Sequence, residues 1–268
     1  MIGCSRAYEV LLSVKPRSIA YLFSAGKDSA LALLVTRDVV KEFCEKNGCR
    51  VYVVYVYVTG NTHPDNAFAA SYTMEWHRRR YGFEPVYLAS PKLFTEMMCR
   101  YGFSTPRGRW CWTEFKEKPI SDFYSRAVKP VLFVDGMSPH DSEPRERSVA
   151  SELQRVESRR GVYWSWHPLF SLNLDSQQKL SILKQHQEFR HVADLYERYG
   201  DSMNCVICPY KSREKLMKMS ASVLADVYRD LAELCLQSER WRNRFALLQA
   251  NNLEKYINFD VVGHGGRG

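Results

Sequence analysis

The sequence lacks any run of eighteen apolar residues, which excludes a membrane-spanning helix and a membrane partner. Its opening residues, Met1 to Lys15, are too polar to contain the apolar core of a secretory signal. We therefore expect a cytoplasmic protein. The eight cysteines would be kept reduced there, so they are predicted to be core residues, metal ligands or reactive thiols rather than disulfides.

The composition is that of a folded, basic protein. A chain of 268 residues is long enough for one large α/β domain or for a core domain with a helical annex. Its hydrophobic content of 45% is ordinary for a globular protein. The net charge of +8 favours anionic partners such as nucleotides or nucleic acid. An ordinary basic surface gives the same total, because a sum of charges contains no information about clustering.

Short apolar runs alternate with helical patterns in the first half of the chain. The run at 51–58 is entirely β-branched or aromatic, which is typical of a strand covered on both faces. The alternation predicts an α/β fold with a doubly wound, mostly parallel sheet. The predicted strands are Ser18–Phe23, 51–58, 86–89 and Val131–Val134, and the predicted helices are 31–43, 66–80, 92–100 and 113–126.

The pattern changes after about residue 174, where five helical segments follow one another. This predicts an α/β domain at 1–174 and a helical C-terminal region at 175–268, packed on the sheet. The highly charged segment 141–160 is predicted to be a loop. The predicted helices of the second region are 177–187, 189–199, 213–219, 223–237 and 239–249.

A small polar loop joins the first predicted strand to the first predicted helix. Ligands bind at the carboxyl ends of strands in open α/β folds, and the unpaired N–H groups at a helix start favour an anion. Gly26 allows close approach of the backbone, Lys27 adds a positive charge, and Asp28 is predicted to cap the helix or to help hold a cation. The loop consists of Ser24, Ala25, Gly26, Lys27, Asp28 and Ser29.

This loop is not a Walker A motif, because Tyr21 and Asp28 stand where that motif requires glycine and Ser or Thr. It resembles the Ser-Gly-Gly-x-Asp-Ser loop of the ATP pyrophosphatase (PP-loop) superfamily, with Ala25 in place of the first glycine. The resemblance implies an adenine nucleotide alpha hydrolase-like fold, ATP bound with Mg²⁺, and cleavage between the α- and β-phosphates. It also implies that Thr59 and Gly60, at the end of the second strand, lie near the adenine.

Further motifs follow in order along the chain. They are Arg109-Trp110-Cys111 with Lys116, then Asp135-Gly136 with Asp141-Ser142 and Arg145, then His167-Pro168-Leu169, and finally Cys205-Val206-Ile207-Cys208-Pro209-Tyr210.

Together these motifs resemble the phosphoadenosine phosphosulfate (PAPS) reductase-like branch of the superfamily, although Ser138 stands where an arginine is expected. The resemblance implies that Arg109 and Lys116 clamp the transferred or leaving anion, so that they and Lys27 are the predicted catalytic residues. It further implies nucleotide contacts from the segment after the fourth strand, namely from Asp135, Gly136, Ser142 and Arg145.

The cysteines allow a metal site. Cys205 and Cys208 are spaced so that both thiolates can face one ion across a tight turn, and Cys111 is the predicted third ligand. Three thiolates can hold a [4Fe-4S] cluster with an open iron, or Zn²⁺ with a fourth ligand. A redox dithiol and plain buried cysteines are the alternatives.

The sequence favours chemistry at the α-phosphate of ATP or of a sulfonucleotide (PAPS or APS). Sulfonucleotide reductases carry a nucleophilic cysteine near the C-terminus, and no cysteine follows Cys235 here. One alternative is a PAPS or APS reductase that uses Cys111, Cys205 or Cys208. The other is a nucleotide- or RNA-binding partner protein without catalysis. Association with a second copy of the chain stays open, and the RNA alternative rests on Arg240, Arg242 and Arg244.

Overall fold

The computed structural model describes residues 6–102, 104, 108–139, 149–158 and 161–211. Three of the predicted helices, at 213–219, 223–237 and 239–249, lie outside these residues. Within the part of the chain that is described, no helix has both the length and the apolar character needed to cross a membrane.

A mostly parallel sheet forms the centre of the described structure, as predicted. The strands follow the order β3-β2-β1-β4-β6-β5, and only the β5–β6 pair is antiparallel. The chain builds outward from β1 to β3 and then returns to the other side of β1, so the winding direction changes between β1 and β4. The strands are β1 Ser18–Phe23, β2 Arg50–Tyr57, β3 Glu84–Ala89, β4 Val131–Val134, β5 Leu153–Ser158 and β6 Gly161–Trp166.

Strand β5 corrects the prediction of a loop at 141–160. Residues 153–158 of that segment pair with β6 at the edge of the sheet. One side of an edge strand is solvated, so β5 can carry charged residues such as Arg155 and Glu157, whose side chains form an exposed ion pair. The prediction was wrong here because it was based on charge, which does not distinguish a loop from a solvated edge strand.

Helices cover both faces of the sheet. Helix α2 is the longest, with 21 residues, and it ends at Gly48, which adopts a left-handed conformation. The predicted helix 113–126 begins at Trp110 and contains a π-helical turn. The helices are α1 Ala7–Val14, α2 Lys27–Asn47, α3 Pro64–Tyr81, α4 Phe94–Tyr101, α5 Trp110–Trp112, the π turn Thr113–Glu117, α6 Lys118–Arg126, α7 Ser176–Lys184 and α8 Arg190–Tyr199, with a 3₁₀ turn at Gln187–Phe189 before α8.

Two apolar clusters lie on the two faces of the sheet, because successive residues of a strand point to opposite sides. In β1, Ile19 and Tyr21 belong to the larger cluster, whereas Ala20 belongs to the smaller one. The larger cluster continues from the sheet into the C-terminal helical segment, where its buried members are Leu183, Phe189, Val192 and Leu195.

A disulfide contradicts the prediction that the cysteines are all reduced. Cys44, near the end of α2, is joined to Cys49, and their Cα atoms lie 4.7 Å apart. The sequence spacing gave no sign of a pair, but the left-handed turn at Gly48 reverses the chain between them. The bridge ties the end of α2 to the start of β2.

Candidate functional site

The candidate site lies where the carboxyl ends of β1 and β4 meet, at the change of winding direction. Ligands bind at this position in open α/β sheets. The loop 24–29 follows β1, and Asp135-Gly136 follows β4. The two segments are in direct contact, because a Cβ atom added to Gly136 would lie 2.3 Å from the carbonyl carbon of Asp28 and 2.5 Å from the amide nitrogen of Ser29. The fold therefore packs Gly136 directly against the loop, and its contact with a nucleotide remains a prediction.

The backbone of the loop turns at Ala25 and enters the helix at Gly26. Ala25 has a φ of 51° and is fully buried. Gly26 is the extended N-cap residue of α2, and no side chain caps the helix. The predicted capping role of Asp28 is thus wrong, since that residue already lies inside the first turn. A helix start without a side-chain cap retains N–H groups that can bind an anion.

The two serine hydroxyls of the loop stabilise its shape. Ser29 Oγ accepts a hydrogen bond from the Ser24 backbone amide at 3.2 Å and donates one to the Gly26 carbonyl at 3.0 Å. The two hydroxyl oxygens also lie 3.2 Å apart. Both hydroxyls thus bind within the loop itself, and they hold its ends together.

A charged triad occupies the start of α2. The ammonium group of Lys27 lies 2.9 Å from one Asp28 carboxylate oxygen, and that of Lys179, from α7, lies 2.8 Å from the other. Burial alone would raise the pKa of the Asp28 carboxyl, but the two ammonium groups outweigh this effect and lower it. Two lysine cations, one from the loop and one from α7, therefore lie at a single carboxylate.

Tyr196, from α8, covers one side of the loop. Its hydroxyl oxygen accepts a hydrogen bond of 3.1 Å from the Lys27 amide, and its ring lies 5.6 Å from the Lys27 ammonium. Burial raises the pKa of Tyr196, so the hydroxyl stays neutral. One backbone N–H at the helix start is thus bound to a neutral oxygen of the protein itself.

A buried amide connects the loop to the segment that contains Cys205. Asn66 is fully buried, and its amide nitrogen donates to the carbonyl oxygens of Ser24, at 3.0 Å, and Ser202, at 2.6 Å. Asn204 lies 3.4 Å from the Asn66 side-chain oxygen and accepts a hydrogen bond of 2.7 Å from the Lys116 ammonium. The predicted catalytic Lys116 is thus linked to the loop through two asparagines.

The predicted catalytic Arg109 is part of a surface stack. Its guanidinium lies 4.9 Å from the ring of Trp112 and 5.1 Å from the ring of Tyr210. Both rings are exposed, with exposed fractions of 42% and 58%. The stack joins the motif around Cys111 to the motif that ends at Tyr210. Binding of an anion by Arg109 remains a prediction.

The three candidate metal ligands do not form a metal site. Cys111 lies 3.1 Å from the Ser104 hydroxyl, whereas Cys205 lies 3.8 Å from the Asn204 amide oxygen. Over the described ranges, no three cysteine, histidine or acidic side chains are grouped so that they could hold an ion. Burial and the neighbouring Cys205 raise the pKa of the Cys208 thiol, which favours its protonated form. The described residues therefore provide no grouping of three ligands for a single ion such as Zn²⁺, and a [4Fe-4S] cluster remains a prediction.

The residue after β6 pairs with the residue after β4. The His167 ring nitrogen Nδ1 lies 2.8 Å from a carboxylate oxygen of Asp135, and the other oxygen accepts from Ser165 at 3.2 Å. His167 is fully buried, and no partner for its Nε2 atom is found in the described ranges. Asp135 thus fixes the histidine ring of the His-Pro-Leu motif. Ser142 and Arg145, the other two predicted nucleotide contacts of this region, lie outside the described residues.

Thr59 and Gly60 form the loop after β2, next to the start of α4. The Thr59 carbonyl accepts a hydrogen bond of 2.9 Å from the Phe94 amide, and Gly60 has a φ of 83°. These contacts fix the loop against α4. A role of the two residues at the adenine remains a prediction.

The sequence analysis missed four residues that contact the site. All four are far from the loop 24–29 in the sequence. The sequence offered a signal only for Lys179. This lysine lies four residues before Leu183 and therefore on the same, buried face of α7, where a lysine is unusual. The other contacts need the fold itself to bring the segments together. The missed residues are Asn66, Lys179, Tyr196 and Asn204.

Comparison with solved structures finds similar architectures at low sequence identity. A PAPS reductase from Candida auris, in a phosphate complex, is 14% identical, with a TM-score of 0.39 over 67% of this chain and 78% of that chain. An FMN adenylyltransferase from Candida glabrata, with FAD and inorganic pyrophosphate, is 14% identical, with a TM-score of 0.45 over 74% of this chain and 60% of that chain.

The same adenylyltransferase with FMN and an ATP analogue is 13% identical, with a TM-score of 0.39 over 64% of this chain and 54% of that chain. No protein-family model matches the sequence, and no curated protein does. The predicted mostly parallel α/β architecture is confirmed by the sheet itself. At these identities the similarity concerns the fold alone.

Proposed function

We propose that the chain binds ATP or a related adenine nucleotide on the loop 24–29 and acts at the α-phosphate. The observation that carries this proposal is the position of the loop. It lies where the sheet changes its winding direction, directly before the amino end of a 21-residue helix, and Lys27 is the first residue of that helix. The helix dipole and the unpaired N–H groups at this end favour negative charge.

The charges of the site support phosphate binding. The Lys27 side chain retains a 17% exposed fraction, so its ammonium is accessible to a ligand. In the proposed complex it binds oxygens of the nucleotide phosphates and stabilises the negative charge that develops when the bond to the α-phosphate breaks. Lys116, linked to the loop through Asn204 and Asn66, is proposed as a further cation for the leaving or transferred anion. Arg109 is proposed to bind an anionic group of the second substrate.

Mg²⁺ bound to the phosphates would supply further charge neutralisation. Asp28 is the carboxylate of the loop that could contact such an ion, but both of its oxygens already bind lysine ammonium groups. No step is therefore assigned to a metal bound by Asp28. The loop acts on the phosphates through its backbone N–H groups and through Lys27.

Binding without turnover is the second candidate function. The observation in its favour is that the protein itself occupies parts of the loop, since Tyr196 binds the Lys27 amide and two lysines bind Asp28. Sulfonucleotide reduction through Cys208 is less favoured, because it needs a thiolate and the pKa of the Cys208 thiol is raised. The measured products separate the candidates: pyrophosphate or AMP for the first, sulfite for the reductase, and none for simple binding.

Replacement of Lys27 tests the proposed function. We expect Lys27→Met to weaken ATP binding by 10-fold or more, on the order of the effect of one charged hydrogen bond, and to abolish release of pyrophosphate. Titration calorimetry and a pyrophosphate-release assay measure the two effects. The matched control is Lys46→Met, an exposed lysine at the other end of the same helix that pairs with Glu42. Wild-type affinity in Lys27→Met would remove this residue from the site.

A further inference from the structure

Lys179 is a buried lysine that contacts Asp28 in the loop 24–29. Its side chain is only 4% exposed, and it reaches Asp28 from a helix 151 residues further along the chain. Lysine is rarely buried to this extent, because the loss of its hydration is compensated only by a close partner. Asp28 supplies such a partner at 2.8 Å.

The two lysines that bind Asp28 differ in burial. The Lys27 side chain has an exposed fraction of 17%, whereas the Lys179 side chain has one of only 4% and is enclosed by the protein. An enclosed ammonium leaves its carboxylate at a large cost, because water cannot reach it to replace the lost partner. A partly exposed ammonium exchanges its carboxylate for another anion at much smaller cost. Asp28 therefore has one permanent cation and one exchangeable cation.

We propose that Lys179 is a positioning residue of the phosphate site, which neutralises Asp28 so that Lys27 can leave this carboxylate and bind the phosphates. This inference rests on the proposed function, because it concerns how the same loop accepts an anion. Lys179 itself does not touch the ligand. Its effect reaches the ligand through Asp28 and then through Lys27.

The proposal makes opposite predictions for the single and the paired replacement. Without Lys179, the Asp28 carboxylate holds Lys27 more firmly and repels an incoming phosphate. When Asp28 is also neutralised, neither effect exists, and Lys27 is again available. A residue that served only to pack α7 against the loop would show no such recovery, because the second replacement cannot restore lost packing.

The experiment measures binding of inorganic pyrophosphate to the full-length protein by titration calorimetry in the presence of EDTA. Pyrophosphate has no adenosine part, and EDTA removes divalent metals, so any cation held by Asp28 does not contribute. The variants are Lys179→Met and the double variant Asp28→Asn/Lys179→Met. The matched control is Lys184→Met, an exposed lysine of the same helix that pairs with Glu197.

We expect Lys179→Met to raise the dissociation constant for pyrophosphate at least 10-fold, and the double variant to return it to within threefold of wild type or below. Lys184→Met should equal wild type. A dissociation constant unchanged in Lys179→Met, or one that stays equally high in the double variant, would overturn the inference while the proposed function stands. If the wild-type protein itself does not bind pyrophosphate or ATP, the proposed function fails, and the inference fails with it.

Lys179→Gln provides a second route if Lys179→Met does not fold. Glutamine keeps a hydrogen-bond donor for Asp28 but removes the charge, so the packing of α7 changes less. The same weakening of pyrophosphate binding is expected, with recovery in Asp28→Asn/Lys179→Gln. Thermal unfolding of each variant verifies that the binding change does not come from loss of structure.

Discussion

Gly136 is the residue at which the site has the least room. Because a Cβ atom there would collide with backbone atoms of Asp28 and Ser29, no side-chain rotation can relieve the contact. We expect Gly136→Ala to displace the loop, to cost about 3 kcal/mol of stability or more, and to weaken ATP binding at least 10-fold. Denaturant unfolding and calorimetric titration measure the two effects.

The control for this prediction is Gly82→Ala. Gly82 has a φ of 72°, but a Cβ atom there meets nothing within 4 Å. Alanine at that position should therefore cost about 1 kcal/mol through backbone strain and leave ATP affinity unchanged. Unaltered ATP affinity in Gly136→Ala would show that the contact with the loop has no part in binding.

The residue scale also shows what the sequence can and cannot predict. The motifs selected Gly136 and the loop 24–29 as candidate site residues, and in the structure these two segments are in contact. Ala25 replaces a glycine of the motif that the loop resembles, and it adopts a left-handed backbone in which a Cβ atom costs about 1–2 kcal/mol. The partner of Asp28 could not be predicted, because Lys179 is 151 residues away.

Helices α2 and α3 are joined to the 3₁₀ turn before α8 by a buried polar group. Arg37 forms an ion pair with Glu188, and its guanidinium lies 3.3 Å from a ring nitrogen of His77. The other ring nitrogen of His77 lies 2.7 Å from the Thr73 carbonyl. Burial lowers the pKa of His77 to about 4. The histidine is therefore neutral in the folded protein near neutral pH.

This histidine predicts a pH dependence of stability. The unfolded chain binds a proton at the ordinary histidine pKa of about 6.5, which the folded protein does not bind until about pH 4. As pH falls through this interval the free energy of unfolding decreases, by roughly 3 kcal/mol in total. The buried carboxylate Glu188, whose pKa is lowered, adds its own loss of stability only at lower pH.

Replacement of His77 by Phe should remove most of this slope. The comparison is the free energy of urea unfolding at pH 7 and pH 5, where His77 is expected to account for about 2 kcal/mol of the wild-type difference. The replacement lowers stability at both pH values, because Arg37 loses an acceptor, but the difference between them should shrink. An equal pH difference in wild type and His77→Phe would contradict the assignment.

At the scale of elements, β1, β2, β3 and β4 were predicted from the sequence, whereas β5 and its neighbour β6 were missed. The strands β1, β2 and β4 are covered on both faces, so they are continuous apolar runs. Strand β5 lies at the edge, where pairing with β6 leaves polar residues in solvent. The amino-acid composition of such a solvated edge strand does not distinguish it from a loop.

The whole molecule has a core that crosses the boundary predicted at 174. The buried side chains of the C-terminal segment belong to the same apolar cluster as β1 and α2. At roughly 2 kcal/mol for each of Leu183, Phe189, Val192 and Leu195, their burial contributes about 8 kcal/mol, which is comparable with the net stability of about 5–15 kcal/mol of a typical domain.

We therefore expect a fragment that ends at residue 174 not to fold on its own. Circular dichroism should show no cooperative thermal transition for the fragment, whereas the full-length chain should unfold in one. The replacement Leu195→Ala in the full-length chain is the milder test and should cost about 2–5 kcal/mol. A fragment that melts cooperatively within a few degrees of the full-length protein would establish 1–174 as an independent domain.

Helical segments at 177–187 and 189–199 were predicted from their periodicity, and helices α7 and α8 lie there. Which residues of these helices meet the loop was beyond the sequence, because the apolar pattern gives the buried face of a helix but not its neighbour. Lys179 and Tyr196 are both placed by that unknown packing.

The side chain of Asn66 connects two segments of the chain that are distant in the sequence. Its single amide group donates to the Ser24 carbonyl of the loop 24–29 and to the Ser202 carbonyl, two residues before Asn204. Any ligand that shifts the loop must stretch one of these two bonds or carry Ser202 along with it. One planar amide group consequently connects Ser24, at the end of β1, to Ser202, which is 178 residues further along the chain and precedes the cysteine-bearing turn. Because the group is planar, a displacement of one segment is transmitted to the other.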